Sequence, residues 1–320
     1  MSVAVVMCAY TEDRWELLTQ ALLSVQHQSL PPDEVVVVID HNEALYRRML
    51  KHVEQQGLDH VAIVQNRFAR GLSGARNTGL ALATATIVAF IDDDAEATHD
   101  WLSILVEPFD DPHVVSVGGS IHPVWPAFRP TWFPREFDWV VGCTYRGMPT
   151  VRSEVRNPIG ANMAFRHQPL QLIGGFDTSV GRVGARTQGC EETEAAIRVC
   201  ALNPSYRVVF EPKAVVHHHV DSGRTSWRYF RDRCFAEGLS KAQVTRLAGS
   251  AAALATERAY VRRVLPRAVG TSLSSAFKTR SPAVARPAGA VLAGLTYTGA
   301  GYLAGVTRNR TSLPQMPNAN

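Results

Sequence analysis

Thr86-Ile-Val-Ala-Phe-Ile-Asp-Asp-Asp94 is an apolar run that stops on three consecutive carboxylates. The run is short, does not alternate, and is rich in β-branched and aromatic residues, which predicts a strand buried on both faces. Three adjacent acids repel one another by roughly 1 kcal/mol per pair even at water-like dielectric. A structural turn gains nothing from that repulsion, whereas a bound divalent cation cancels it, and hard oxygen ligands suit Mg²⁺ or Mn²⁺. A solvated acidic turn is the plainer alternative for this segment taken alone.

Upstream, the same kind of run recurs at Val3–Cys8, Glu34–Asp40 and Val61–Gln65. Helical patterns fill the intervals: Leu17 to Gln26, with Leu17, Leu18, Ala21, Leu22 and Val25 on one face; Leu45–Gln55; and Leu72–Ala83, which is reached through Arg70-Gly-Leu-Ser-Gly-Ala-Arg76. Strands alternating with helices at this spacing predict βαβ units, hence an α/β chain with a mostly parallel central sheet flanked by helices. Ligands bind beyond the carboxyl ends of such strands. Here those ends carry Tyr10-Thr11-Glu12, Asp40 and Asp92–Asp94, so several polar groups converge on one edge of the sheet. The Gly-rich turn before Leu72 offers backbone N–H groups and a helix dipole to an anion.

Downstream, Val114–Gly119, Tyr206–Phe210 and Ala214–Val220 read as strands. Between them lies an aromatic, Pro-rich loop from His122 to Pro134, too long and too aromatic for a bland linker and expected to line or cover a site. Trp125 and Trp132 are assigned to an acceptor side and Trp139 to the core. Gly189-Cys-Glu-Glu-Thr-Glu194 opens a helix to about Ala201, and His217-His218-His219 closes a strand.

Charge divides the chain. The net charge is only +4, but residues 1–223 hold 18 basic and 26 acidic side chains, whereas residues 224–320 hold 15 and 3. The composition excludes a disordered, collagen-like or coiled-coil chain. Five cysteines without CxxC spacing argue against zinc knuckles and a disulfide framework, and suit a reducing compartment. No cleavable apolar leader is evident, so the protein is expected in the cytoplasm. The basic tail mixes Arg224, Arg228, Arg231, Arg233, Lys241, Arg246, Arg258, Arg262, Arg263 and Arg267 with apolar residues, among them Trp227, Phe230, Leu254 and Tyr260. Without a recognition motif that pattern points away from nucleic acid and toward an anionic membrane surface, where each basic residue contributes about 1 kcal/mol. Pro287–Thr307 carries no charge and has the length of a bilayer span, about 20 residues, yet five glycines and three threonines leave it only marginally apolar. Spanning the bilayer, lying on it and packing on the protein all remain open for it. Leu313–Asn320 is expected to be disordered. The tail is read as placement rather than chemistry.

Val5-Val-Met-Cys-Ala-Tyr-Thr11, Val36–Asp40, Arg70-Gly-Leu-Ser-Gly-Ala-Arg-Asn-Thr-Gly79 and Phe90–Asp94 together resemble the ordered donor-site motifs of family 2 glycosyltransferases of the GT-A fold. Gly174-Gly-Phe-Asp177 and Cys190-Glu-Glu-Thr-Glu194 resemble that family's acceptor-side motifs. The resemblance covers about residues 1–222. It divides them into a donor-binding half, 1–118, and an acceptor-binding, catalytic half, 119–222, followed by the basic helical extension 223–320.

The resemblance implies an inverting transfer that uses a nucleotide-diphosphate sugar, UDP being the favoured carrier, with Mn²⁺ or Mg²⁺ as cofactor. Ala9, Tyr10, Thr11, Glu12 and Asp40 would hold the nucleotide base, and Arg70, Arg76 and Asn77 the ribose and diphosphate. A helix cap remains the alternative for Asp40, and a packing role for Arg76 and Asn77. Asp94 would ligate the metal, with Asp92 on the ribose or a metal-bound water, Asp93 on the donor side and His218 on the metal or diphosphate. Glu192 would be the base and Glu191 the second choice, although this pair is Glu-Glu where the family more often has Glu-Asp. Gly175, Phe176 and Asp177 would face the acceptor, a glycan or a polyprenyl or other lipid-linked molecule of the cell envelope. A sugar nucleotidyltransferase and a non-catalytic nucleotide-sugar-binding or membrane scaffold are the rivals. The first lacks its Gly-rich basic loop after Ala9, and the second would break one of the acidic motifs.

Overall fold

The computed structural model describes residues 1–58, 60–179, 189–248 and 260–311. Leu254, Arg258 and the terminal stretch from Leu313 lie outside the described residues.

Among the described residues a nine-stranded sheet forms the centre of the molecule. Its first half is β1 (Val3–Ala9), β2 (Glu34–Ile39), β3 (Val61–Gln65) and β4 (Ile87–Asp92), laid parallel in the order β3-β2-β1-β4. The apolar runs are continuous because both faces are covered. Val3, Val5 and Met7 enter one cluster with Leu18, Leu22 and Val25, while Ala4 and Val6 enter the other with Ala75 and Leu80. The helices α1 (Trp15–Gln26), α2 (Glu43–Gln56) and α3 (Leu72–Leu82) join these strands.

Beyond β4 the sheet departs from the mostly parallel reading. β5 (Ala95–Ala97), α4 (Trp101–Val106), β6 (Val114–Val124), β7 (Ser153–Val155), β8 (Asn162–Arg166), α5 (His167–Leu172), α6 (Glu191–Ala201) and β9 (Arg207–His219) follow in sequence. β8 runs antiparallel to both β4 and β6, β9 lies parallel to β6, and β5 and β7 pair antiparallel with β9. The two short runs read at 206–210 and 214–220 are one strand, interrupted by a shift of register opposite Gly119 and Ser120. Three-residue strands such as β5 and β7 are too short for periodicity to reveal. The cysteines are free.

The extension is helical: α7 (Trp227–Ala248), a π-helical turn at Tyr260–Val264, α8 (Leu265–Thr279) and α9 (Arg286–Thr311). No described helix is long and apolar enough to cross a membrane, which removes the spanning alternative for Pro287–Thr307. That run instead lies along α7. A Cβ on Gly301 would overlap the Phe235 carbonyl oxygen, and one on Gly238 would overlap that of Thr298, so these glycines let the two backbones touch. Trp132 and Phe133 of the aromatic loop pack against Phe230, with ring centroids 5.4 Å apart in each case, and tie the extension to the body.

Candidate active site

The carboxyl end of β4 delivers Asp92, Asp93 and Asp94, and the pairing of Ala95 with His218 sets β9 beside them. His218 Nε2 stands 3.2 Å from Asp94 Oδ1, both side chains being buried. Arg14, in the loop after β1, reaches across to Asp94 Oδ2 at 2.8 Å and Asp93 Oδ1 at 3.0 Å. Burial alone would raise the Asp94 pKa, but His218 and Arg14 outweigh it and hold this carboxyl well below the usual range. Burial would likewise lower His218, and Asp94 outweighs that to push the imidazole up to about 10. Asp93 moves the other way, to about 7, because burial and the neighbouring Asp94 charge exceed the pull of Arg14. Its Oδ2 is buried with no partner.

The Asp94 carboxylate suits Mn²⁺ or Mg²⁺, His218 Nε2 becomes a ligand once it releases its proton, and the unpartnered Asp93 oxygen is a further acceptor on the same edge. Among the described residues no group of three such side chains converges on one point. A cation here would therefore take its remaining ligands from water and substrate phosphates, as Mg²⁺ commonly does.

The second acidic pair stands at the start of α6. Cys190, just before it, has a left-handed backbone (φ +86°), an uncommon conformation for a side-chain-bearing residue. Glu191 is buried; its Oε1 accepts from Arg76 at 2.8 Å and its Oε2 has no partner. Glu192 makes no ion pair among the described residues. Its pKa is pushed up to about 8, first by burial and then by the Glu191 charge.

Arg76 joins the two acidic groups. It is 2% exposed and also donates to Asp92 at 3.2 Å and to the Gly160 carbonyl at 2.9 Å. Nη1 and Nη2 of Arg76 thus serve three protein acceptors at the wall of the site. Asp92 is drawn the same way, toward Arg76 rather than toward the Asp94–His218 pair.

Arg76, Asp92, Glu191, Glu192 and His218 line one cavity of 660 Å³. The extension supplies much of its wall, including Arg233, Glu237, Lys241, Tyr260 and Leu295. The tail, read from the sequence as placement, also walls the cavity that holds the acidic pair. Its sequence signal was Arg233, Glu237 and Lys241 at four-residue spacing, one face of a helix. Arg14 was missed because an arginine in a surface loop carries no signal until its partners are known.

Tyr10 and Thr11 line a second, more open cleft of 860 Å³ together with Arg14, Trp125 and His219. Ala9 is buried and holds Asp40 N through its carbonyl at 2.7 Å, while Glu12 is exposed. Asp40 accepts from Asn66 Nδ2 at 2.7 Å and Gly71 N at 2.9 Å, which fastens the Gly-rich turn; Arg70 donates to the His41 carbonyl at 2.9 Å. Asn77 is not presented to either cleft, because it clamps the backbone of Phe176 with two hydrogen bonds of 2.8 Å. Phe176 is core, edge-on to Phe90, and Gly175 (φ +73°) is packed against Asn77. Asp177 accepts from Ser179 N at 2.8 Å. These three are turn and packing residues, and Trp132 belongs to the aromatic cluster with Phe230. Trp139, assigned to the core, packs against it beside Phe137 and also lines the 660 Å³ cavity.

Residues 4–174 match the family described as Glycosyl transferase family 2. A glucosyl-dolichyl phosphate glucuronosyltransferase of Haloferax volcanii is 37% identical over 242 residues, 75% of this chain and 76% of that protein. The succinoglycan biosynthesis protein ExoM of Rhizobium meliloti is 28% identical over 169 residues, 52% of this chain and 50% of that one. Among solved structures, mannosyltransferase PcManGT from Pyrobaculum calidifontis, in complex with GDP-Man and Mn²⁺, aligns with a TM-score of 0.61 at 23% identity, over 98% of this chain and 88% of its own. GalNAc-T7 with UDP, GalNAc and Mn²⁺ aligns with a TM-score of 0.54 at 17% identity, over 75% and 48%. At these identities the two structures share the fold with this chain, and that fold is the GT-A type.

Proposed function

This chain belongs to glycosyl transferase family 2 and is a glycosyltransferase, and we propose that it moves a sugar, with inversion, from a UDP-sugar to a hydroxyl of a polyprenyl-phosphate-linked acceptor. The observation that carries the proposal is the bridge through Arg76, which sets the acidic edge of β4 and the Glu191–Glu192 pair in one cavity. UDP is taken on its frequency in the family, and the lipid-linked acceptor on the relative whose name carries glucosyl-dolichyl phosphate.

In this mechanism Glu192 accepts the proton of the acceptor hydroxyl as that oxygen attacks the anomeric carbon from the face opposite the departing diphosphate. Arg76 holds Glu191 in place through its hydrogen bond, and the Glu191 charge raises the proton affinity of its neighbour. Asp94 and His218 would hold Mn²⁺ or Mg²⁺, which when bound supplies positive charge toward the diphosphate. Arg14 restrains Asp93 and Asp94 against their mutual repulsion.

A position on an anionic membrane belongs to the same proposal. Leu273 and Phe277 stand four residues apart on α8, and Leu292 and Leu303 share a stripe of α9; all four are exposed, Phe277 by 87%. Lys278, Arg280 and Arg286 lie beside them in the sequence. Phe277→Asp should reduce flotation with phosphatidylglycerol vesicles at low salt, and unchanged flotation would remove the membrane from the proposal.

Release of nucleotide from UDP-glucose, UDP-glucuronate and GDP-mannose, with Mn²⁺ or with EDTA, tests the reaction. Mn²⁺-dependent release from a UDP-sugar, increased by a polyprenyl-phosphate-linked sugar, is expected. No release from any donor would overturn the proposal.

A further inference from the structure

The cavity has a basic wall that the chemistry above does not use. On α7, Arg233, Glu237 and Lys241 share one face and line the cavity opened by Glu191 and Glu192. Arg233 Nη1 donates to Glu237 Oε2 at 2.9 Å, and Lys241 Nζ stands 3.1 Å from Glu237 Oε1. One carboxylate thus serves two cations, and it is ionised: burial works against the charge, but Lys241 and Arg233 hold its pKa at about 2. Arg233 is 7% exposed, and its Nε is buried without a partner. Arg263 lines the same space. A guanidinium with an idle donor, set in a buried wall, is costly until an anion meets the side chain.

The rest of the lining is apolar. Trp139, Val264, Leu265 and Leu295 face the same volume, so an anion that enters alone leaves this surface uncovered. A ligand that satisfies both parts carries a phosphate at one end and a hydrocarbon chain at the other. Apart from Trp139, these residues lie outside the matched span 4–174.

We infer that Arg233, seconded by Lys241, binds the phosphate of the acceptor, and that the acceptor's isoprenoid chain lies on the wall built by the π-helical turn, α8 and α9. The inference rests on the lipid-linked acceptor proposed above and adds the residues that recognise it. Arg233 is a specificity-determining residue of the acceptor side.

Calorimetric titration of the full chain with farnesyl phosphate, farnesol and inorganic phosphate, without nucleotide or metal, tests it. Farnesyl phosphate should bind about tenfold or more tightly than either fragment. Arg233→Gln should bring it to the level of farnesol. Glu237→Gln removes the counter-charge while keeping both cations, and should tighten it. These opposite signs separate recognition from damage to the fold, since both variants lose the same ion pair and damage would weaken both alike. Equal binding of farnesyl phosphate and farnesol by the wild type, an unchanged constant in Arg233→Gln, or parallel weakening in both variants would overturn the inference. Inorganic phosphate binding as tightly as farnesyl phosphate would overturn its lipid half. Metal-dependent nucleotide release with binding that ignores Arg233 defeats this inference alone, whereas the expected binding with no release from any donor defeats the proposed reaction alone.

Discussion

Arg76 Nη1 lies 2.8 Å from Glu191 Oε1, a contact between residues 115 positions apart that closes the parallel half of the sheet onto the acidic pair. Both groups are buried, and the same guanidinium holds Asp92 and the Gly160 carbonyl. A lysine offers one point charge where this site uses a planar fork with several donors.

Arg76→Met should lower stability by about 3–5 kcal/mol, because it leaves a buried carboxylate uncompensated. Arg76→Lys should recover part of the stability and little of the turnover. Denaturant unfolding together with kcat for both variants checks this; a fully active Arg76→Met enzyme would contradict it.

Activity should depend on pH through Glu192. The carboxyl must lose its proton to act as base, and its pKa lies at about 8, so kcat/KM should rise from pH 6 toward a plateau above about 8. Glu192→Gln should abolish transfer while donor binding persists. The linkage to stability has the opposite sense. The folded chain keeps a proton that the unfolded chain loses near 4.5, so this group's contribution is full below about 4.5 and is lost as pH rises through about 8. A pH–rate profile and melts across the same range test both statements; a flat rate profile would move the base elsewhere.

Mn²⁺ should raise the melting temperature of the wild type, since a ligand that binds only the folded state stabilises it by mass action. Asp94→Asn and His218→Ala should each remove that increment, and EDTA should reverse it in the wild type. An equal increment in Asp94→Asn would place the cation away from this pair.

Gly301→Leu should separate α9 from α7, because the new side chain meets the Phe235 backbone, which cannot turn aside. A loss of about 1–3 kcal/mol is expected for overpacking of this kind, with faster proteolysis of the extension. Gly289→Leu, a position whose Cβ meets nothing nearby, is the control and should change little.

Much of this molecule was legible before it was seen folded. β1 to β4, the helices between them and the start of α6 each announce themselves through local pattern, since a doubly covered strand must be apolar throughout and a helix must repeat near every fourth residue. The acidic groups were legible for the same local reason: adjacent like charges need an explanation. The side chains that act at a distance were not. Asn77 follows Arg76 in a Gly-rich turn and reads equally as a ligand residue, yet its amide is consumed by the backbone of Phe176.

By itself the sequence determined the parallel half of the sheet, the edge on which the acids gather, and the division into an acidic body and a basic tail, all of which follow from the order and spacing of residue types. Only the tertiary structure decided that Arg76 serves Glu191 and Asp92, that Arg14 faces Asp93 and Asp94, and that the tail's Arg233 and Lys241 share a cavity with Glu192. The physical reason is one of range. Secondary structure follows from hydrogen bonds and burial over a few residues, whereas charge pairing inside a protein depends on which groups the fold brings within a few ångströms, however far apart they lie along the chain.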